Sequence, residues 1–329
     1  MPNMKTDASG IKKFLEDLAK ESWLERDERR VWPKFLFHYT DIRNAVEILK
    51  TGSLQSRNML ENMKGLVVSS GSSNVLANTP DRFKGCVRLY FRPKTPTQYY
   101  VEGIRSRANL QDSKFPDAHC PVPIFFLFDS FSLLSRKDSR FSDGNLGSPK
   151  AKIFSTAKEL AELPWHKIYH NSSLTEKSDI IFHRNAEVII PQHVELEALQ
   201  YIYCRSEAEK ETFLYLLPQS IQQSYQRKIV STTSSTLFYR QHTFIEKVRL
   251  SCQSVDMYFS PDTKSLGPFD LNIELERGSE IFRGRKESFM LPDGYKLNLP
   301  LPSAHDYAIR IFLDTHLTYA NTYHEPEPF

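Results

Sequence analysis

Near residue 231 the chain changes the rule by which its apolar residues recur. Before Ser231-Thr232-Thr233-Ser234-Ser235, helical spacing alternates with short apolar runs. After it, apolar residues return at every second position in Phe244 to Leu250, Val255 to Phe259, Phe269 to Leu275 and Ala308 to Leu313. Successive side chains of a strand point to opposite faces, so a period of two marks half-buried strands. Turn chemistry such as Pro292-Asp293-Gly294 separates them. Residues 236–329 are therefore expected to form an all-β, sandwich-like module of unknown role. The chain as a whole is expected to be α+β. At 329 residues it exceeds the size at which one core usually divides, which agrees with more than one domain.

The region before the change has three parts. Ile11, Phe14, Leu15, Leu18, Trp23 and Leu24 recur at helical spacing among charged residues, and Pro33 ends the pattern. Residues 1–32 thus predict an amphipathic helical extension docked on its own domain. Residues 33–230 then predict a second domain. A strand at Phe35-Leu36-Phe37 leads to a helix over Ile42 to Lys50, with Gly52 placed as its C-cap. Further strands are expected at Val87 to Phe91 and at Ile124 to Phe128, and a helix over Glu207 to Lys228 despite Pro218. Ser69 to Asp81 and Arg136 to Lys152 are rich in turn residues and read as long surface loops, the places where function often resides.

Composition excludes more than it selects. No stretch approaches the roughly 20 apolar residues of a membrane helix, and no apolar leader follows Met1, so a cytoplasmic protein without a membrane partner is expected. Cys86, Cys120, Cys204 and Cys252 lie far apart with no C-x-x-C or Cys/His cluster, so neither a zinc site nor a disulfide framework is indicated. No metal is expected. A formal charge of +3 permits a nucleic-acid partner without requiring one.

Glu187 is the residue that points to chemistry. It heads the β-branched run Glu187-Val188-Ile189-Ile190-Pro191, which reads as a buried strand. A carboxylate in that position is either paired or aimed into a cleft. Three other pieces join it. They are His38-Tyr39-Thr40 with Asn44, then Tyr90-Phe91-Arg92-Pro93-Lys94-Thr95-Pro96, then Ser142-Asp143-Gly144-Asn145. Each alone has an ordinary structural explanation: a core histidine, a core aromatic pair, solvated charge, a turn.

In this order the four pieces resemble the DarT family of DNA ADP-ribosyltransferase toxins. Those chains carry a His-x-Thr element, a Tyr-Phe-x-Pro-Arg-Ser-Pro element, a turn-rich Asp-Gly segment and a late Ala-Glu-x-x-x-Pro. The likeness covers about residues 33 to 205. It implies an ADP-ribosyltransferase-like split two-sheet core, mostly antiparallel, with NAD+ as substrate in the cleft. It implies that Glu187 is the catalytic carboxylate, that His38 and Thr40 hold the nicotinamide half of NAD, and that Tyr39 is among the cofactor-binding residues. Asn44 would support that turn, Tyr90 and Phe91 would line the pocket, and Arg57 would meet the pyrophosphate.

One departure stands out. The family has Arg between the Pro and the Ser-Pro, where this chain has Lys94, with Arg92 two residues earlier. Both cations are candidates for the catalytic group beside the acceptor base, and a Lys there could accompany a different base. The acceptor implied is a base of single-stranded nucleic acid, DNA by resemblance and RNA as the alternative, since an unstacked base avoids the cost of extrusion. Tyr99, Tyr100, Arg105 and Arg107 are candidates for a stacking and phosphate surface. A cognate antitoxin and a phage-defence role are implied by the family alone. The competing readings are an inactive nucleic-acid-binding scaffold and a transferase that modifies protein.

Overall fold

The computed structural model describes residues 4–63, 79–111, 113, 115–174, 178–301 and 306–326. Residues 69–78, most of the first expected surface loop, lie outside that set. The chain divides into two compact units. The first takes Met1–Tyr39, Arg43–Tyr99 and Phe125–Ile202, and the second takes Thr40–Ile42, Tyr100–Ile124 and Tyr203–Phe329.

The first unit opens with helix α1 (Ala8–Leu18). Ile11, Leu15 and Leu18 form its buried stripe, and the ring of Phe14 lies 5.6 Å from that of Trp165. The helix is shorter than its apolar spacing predicts, giving way to 3-10 turns at Ser22–Leu24 and Arg26–Lys34. In these turns the Arg29 guanidinium donates to the carbonyls of Trp23 (2.8 Å) and Arg26 (3.0 Å), acceptors that helical amides would otherwise take, and also to that of Tyr169 (3.0 Å).

All or most of each of the following strands also belongs to this unit: β1 (Phe35–Asp41), β2 (Ser53–Gln55), β3 (Cys86–Tyr90), β4 (Pro123–Asp129), β5 (Arg140–Ser142), β6 (Ile153–Phe154), β7 (Glu187–Pro191), β8 (His193–Glu195) and β9 (Leu199–Cys204). In the main sheet they stand in the order β9, β4, β1, β3, β7, β5, β6, while β2 and β8 form a small sheet of their own. The pairings of β3 with β1 and with β7 are antiparallel, as are those of β5 with β7 and with β6. Helix α2 (Ile42–Thr51) ends at Gly52, whose φ of +70° suits a residue without Cβ. Helix α3 (Arg57–Asn62) begins after Ser56, whose hydroxyl accepts from the Met59 amide at 3.4 Å. The second expected loop, Arg136 to Lys152, contains β5. Phe141 and Ser142 of that strand are fully buried, so a segment that reads as polar surface enters the sheet.

In the second unit, β10 (Ile229–Ser231) precedes two antiparallel sheets. One joins β11 (Ile245–Leu250), β12 (Ser254–Phe259) and β15 (Lys296–Pro300). The other places β14 (Glu280–Phe289), β13 (Phe269–Arg277), β16 (Tyr307–Leu313) and β17 (His316–Tyr323) side by side. Val255, Met257, Phe269, Leu271, Ile309 and Ile311 share one apolar core, as the period of two predicts. The single helix expected over Glu207 to Lys228 is two, Glu207–Leu216 and Gln219–Tyr225. Pro218 forces Leu217 out of the helical region and makes the break. Strand β14 escapes a sequence reading because nine of its ten residues are exposed and no alternation marks it. Among the described residues no helix is long and apolar enough to cross a membrane.

Candidate active site

Strand β3 lies between the strands that carry His38 and Glu187. Its own alternation decides what it offers the site. Val87 and Leu89 are buried, while Arg88 and Tyr90 fall on the other face. The register sets Tyr90 opposite Phe37 of β1 and opposite Glu187 of β7. Residues paired across antiparallel strands face the same way, so Arg88, Tyr90 and Glu187 share one face.

Glu187 is 1% exposed, and its carboxylate is not alone. Arg88 grips it with two donors, Nε to Oε2 and, at 2.7 Å, Nη2 to Oε1. Burial lowers the guanidinium's affinity for its proton, but the carboxylate overcomes this, so Arg88 is held more firmly charged than usual. The Glu187 backbone is fixed as well. Its amide donates to the Ser142 hydroxyl at 3.0 Å, and that hydroxyl donates to the Gly144 carbonyl at 2.7 Å. The turn-rich Ser-Asp-Gly segment thus braces the strand that presents the carboxylate.

His38 and Tyr90 are the neutral members of the site. Burial lowers the His38 imidazole to about 4, against a raising contact with the Arg88 carbonyl, so it is uncharged at neutral pH. Its Nδ1 lies 3.5 Å from that carbonyl. A carbonyl only accepts, so the proton belongs on Nδ1 and Nε2 remains an acceptor. The Tyr90 phenol is pushed up by burial first and by the Glu187 charge second, which leaves it a hydrogen-bond donor and acceptor.

The two cations of the second element part company. Arg92 is 1% exposed. It donates to the carbonyls of Pro93 (2.8 Å), Ile168 (3.1 Å) and His170 and to Asn171 Oδ1 (3.1 Å), and its guanidinium lies 4.9 Å from the centre of the Trp32 ring. That set of partners makes it a tie of the core. Lys94 is half-buried, and its φ of 56° places it in the left-handed region, where its amide donates to the buried Gln98 side chain at 2.7 Å. A left-handed lysine is strained by roughly 1–3 kcal/mol and persists only where its surroundings hold it.

The other expected residues divide similarly. Tyr39 packs edge-on to Phe125 at 5.2 Å, Thr40 is buried, and Asn44 sits in the first turn of α2. Phe91 is buried, against Trp165 (5.1 Å) and Phe141 (6.4 Å). Arg57 pairs with Glu61 one helical turn on, at 2.5 Å. Of the four residues expected on a nucleic-acid surface, Tyr99 and Arg107 are exposed. Arg107 lies 3.5 Å from Asp270. Tyr100 packs on Phe115 at 5.3 Å, and Arg105 is buried, donating to Ser113 (2.8 Å) and to the Ala118 carbonyl. Arg105 therefore serves the interior of the second unit. A cavity of about 380 Å³ in the first unit is walled by Pro80, Arg82, Phe83, Leu146 and Gly147 to Pro149 with Ala151, none of them an expected site residue. Among the described residues no group of three or more His, Cys, Asp or Glu side chains could hold a metal ion.

Arg88 is the residue that sequence reasoning missed, although a signal existed: it stands on the same strand face as Tyr90, two residues away. Ser142 entered that reasoning only as part of a turn, because its contact with Glu187 is to the backbone.

A buried carboxylate opposite a tyrosine on the neighbouring strand, held by an arginine whose carbonyl meets a neutral histidine, is an arrangement suited to breaking a glycosidic bond. Comparison with known proteins agrees. A family model described as "ssDNA thymidine ADP-ribosyltransferase, DarT" matches residues 37–237, and the chain belongs to that family. It is thereby an NAD-dependent ADP-ribosyltransferase of the class that acts on single-stranded DNA. Among solved structures, Thermus sp. 2.9 DarT in complex with ADP-ribosylated ssDNA is 16% identical, with 61% of this chain and 94% of that chain covered and a TM-score of 0.49. The same protein in complex with NAD+ is 17% identical, with 61% and 96% covered and a TM-score of 0.47. Thermosipho africanus DarTG in complex with ADP-ribose is 17% identical, with 66% and 53% covered and a TM-score of 0.46. No curated protein matches the chain.

Proposed function

We propose that this chain transfers ADP-ribose from NAD to a base of single-stranded DNA through a site centred on Glu187. The observation that carries this reading is the register of β1, β3 and β7, which sets Glu187 beside Tyr90 with a held, charged partner. Breaking the bond between C1′ and the nicotinamide nitrogen sends its electron pair away with nicotinamide and leaves oxocarbenium character on the ribose. Glu187, accepting from the ribose 2′-hydroxyl, stabilises that charge where water would compete poorly. His38 Nε2, as an acceptor, suits a hydroxyl or amide donor on the nicotinamide half, and Tyr39, Thr40 and Asn44 support the same turn. A base nitrogen then forms the new bond to C1′ and gives up its proton.

Lys94 is the group we assign to the acceptor. An exocyclic amine attacks with its own lone pair and loses its proton afterwards, whereas a thymine ring N–H must be deprotonated to attack. A lysine in place of arginine therefore fits a shift of target base. Tyr99 and Arg107 are the members of the expected stacking surface that remain accessible. A separate chain that binds this one, or reverses its product, is the partner that such chemistry calls for in a living host.

The test is incubation of wild type and Glu187→Ala with labelled NAD and, in parallel, single-stranded DNA, RNA and protein, followed by nuclease digestion and mass spectrometry. Glu187-dependent ADP-ribose on a DNA nucleoside is the expected result. Label on RNA alone moves the substrate class, and label on protein alone overturns the reading. In the same assay Lys94→Arg should change the modified nucleoside. An unchanged product removes Lys94 from base selection.

A further inference from the structure

We propose that Arg88 is a positioning residue for Glu187: its guanidinium fixes the plane in which the carboxylate meets the ribose. The proposal rests on the reading of Glu187 given above. The final torsion of a glutamate side chain is broad and soft, so a carboxylate held only through its backbone presents its oxygens in many orientations. The backbone of Glu187 is already fixed by the β3–β7 ladder and by the Ser142 hydroxyl at 3.0 Å. What freedom remains lies in the side chain, and Arg88 removes it with the two parallel bonds of a guanidinium fork.

The fork leaves the carboxylate able to work. Two oxygens carry about four acceptor sites, and Arg88 occupies two of them. The geometry also has a direction. Arg88 reaches Glu187 from β3, the strand that holds Tyr90 beside Glu187, and its own carbonyl is the group next to His38 Nδ1. One residue thus touches two members of the site, one through its side chain and one through its backbone. A guanidinium this close also weakens the field that the carboxylate exerts on a developing cation. The contribution of Arg88 is therefore geometric, and its loss should appear in turnover and spare NAD binding.

The experiment measures kcat and KM for NAD with single-stranded DNA as acceptor, for wild type, Arg88→Ala and Arg88→Lys, with and without millimolar guanidinium chloride. Misplacing a catalytic group by about an ångström costs on the order of 100-fold in rate. Arg88→Ala should lose about that factor in kcat, keep KM for NAD within roughly threefold, and regain on the order of tenfold when guanidinium is added. Arg88→Lys should fall between, since an ammonium is a point charge without the fork. A kcat for Arg88→Ala within about threefold of wild type overturns the proposal. So does a loss that guanidinium leaves unchanged, or one carried by KM. If Arg88→Ala fails to give a cooperative melt, Arg88→Lys decides alone: lowered kcat with KM retained supports positioning, and wild-type kcat overturns it. Wild-type protein that modifies no nucleic acid sinks the reading of Glu187 itself, whereas active wild type with an unaffected Arg88→Ala sinks only Arg88.

Discussion

Each unit of the molecule contains an arginine that clasps a buried glutamate through a two-bond fork. In the second unit Arg205 donates to Glu209 through Nε (3.2 Å to Oε1) and Nη2 and to the Pro121 carbonyl at 3.0 Å, with Glu102 4.0 Å away and the Phe244 ring centre 4.2 Å away. Neither side chain meets solvent to any extent, at 0% and 1%. In the first unit the Arg88 side chain keeps 25% of its surface, and the pair is flanked by a histidine and a tyrosine in place of a phenylalanine and a proline. The same ion-pair chemistry thus closes a core in one unit and borders the proposed reaction site in the other. An ion pair does not identify a site; its neighbours and its residual exposure do.

The largest effect should come from breaking the sealed pair. Arg205→Ala leaves Glu209 buried without its partner, and removing one member of such a pair costs about 3–5 kcal/mol. Burial already pushes the Glu209 carboxyl up against the pull of Arg205, so the uncompensated group has little reserve. Urea unfolding monitored by circular dichroism should show the loss, while transfer activity per folded molecule stays at the wild-type value. The bordering pair should behave in the opposite way. Glu187→Gln should lower kcat by about 10²–10³, the size of effect known for removing a group that stabilises transition-state charge. Its urea midpoint should move far less than that of Arg205→Ala. If the two variants exchange these phenotypes, the contrast between the pairs is wrong.

Acid acts on both units in the same direction. In the second unit His119 is lowered to about 3, by burial first and then by His316 and Arg105, and burial is also the main cause that lowers His242 to about 4. A histidine lowered on folding is kept neutral by the folded state, so the unfolded chain binds its proton first. The stability these groups contribute is complete above about 6.5 and is lost as pH falls toward 4. His38 carries the same sign in the first unit. The urea midpoint should fall between pH 7 and pH 5, and His119→Asn should flatten the slope. A midpoint that rises on acidification contradicts the sign.

How much of this was legible in the sequence differs between the same regions. The second unit announces its fold, because Val255, Met257, Ile309 and Ile311 alternate and must face one core. It hides β14, where exposed charges leave no period to read. The first unit announces chemistry better than fold. Glu187 and His38 stand out because a carboxylate and an imidazole among apolar strand residues need a reason. Arg92 and Lys94 could not be told apart by type, since both are cations two residues from each other in one turn. Only the carbonyls around Arg92 and the left-handed backbone of Lys94 separate them. Arg88 was passed over because an outward position between Val87 and Leu89 looks solvated until β7 is laid beside it.

The smallest effect tests whether the strain at Lys94 belongs to function. Arg240 of the second unit has nearly the same backbone conformation, with φ of 58° against 56° for Lys94. Its partners hold it there: the side chain donates to the Arg205 carbonyl at 2.6 Å and to Glu246 at 2.5 Å, and its amide donates to Glu102 at 2.7 Å. Glycine adopts that conformation without strain, so it relieves backbone energy at either position. At Arg240 the relief is outweighed by buried acceptors left without their donor, and Arg240→Gly should destabilise by about 1–3 kcal/mol. At Lys94 the backbone bond to Gln98 survives the exchange. Lys94→Gly should therefore keep or raise stability, by up to about 1 kcal/mol, while lowering transfer to DNA. A Lys94→Gly protein that is both more stable and fully active would show that the left-handed lysine holds no catalytic position. One that is stable and impaired would show that the first unit tolerates strain where the second unit uses contacts.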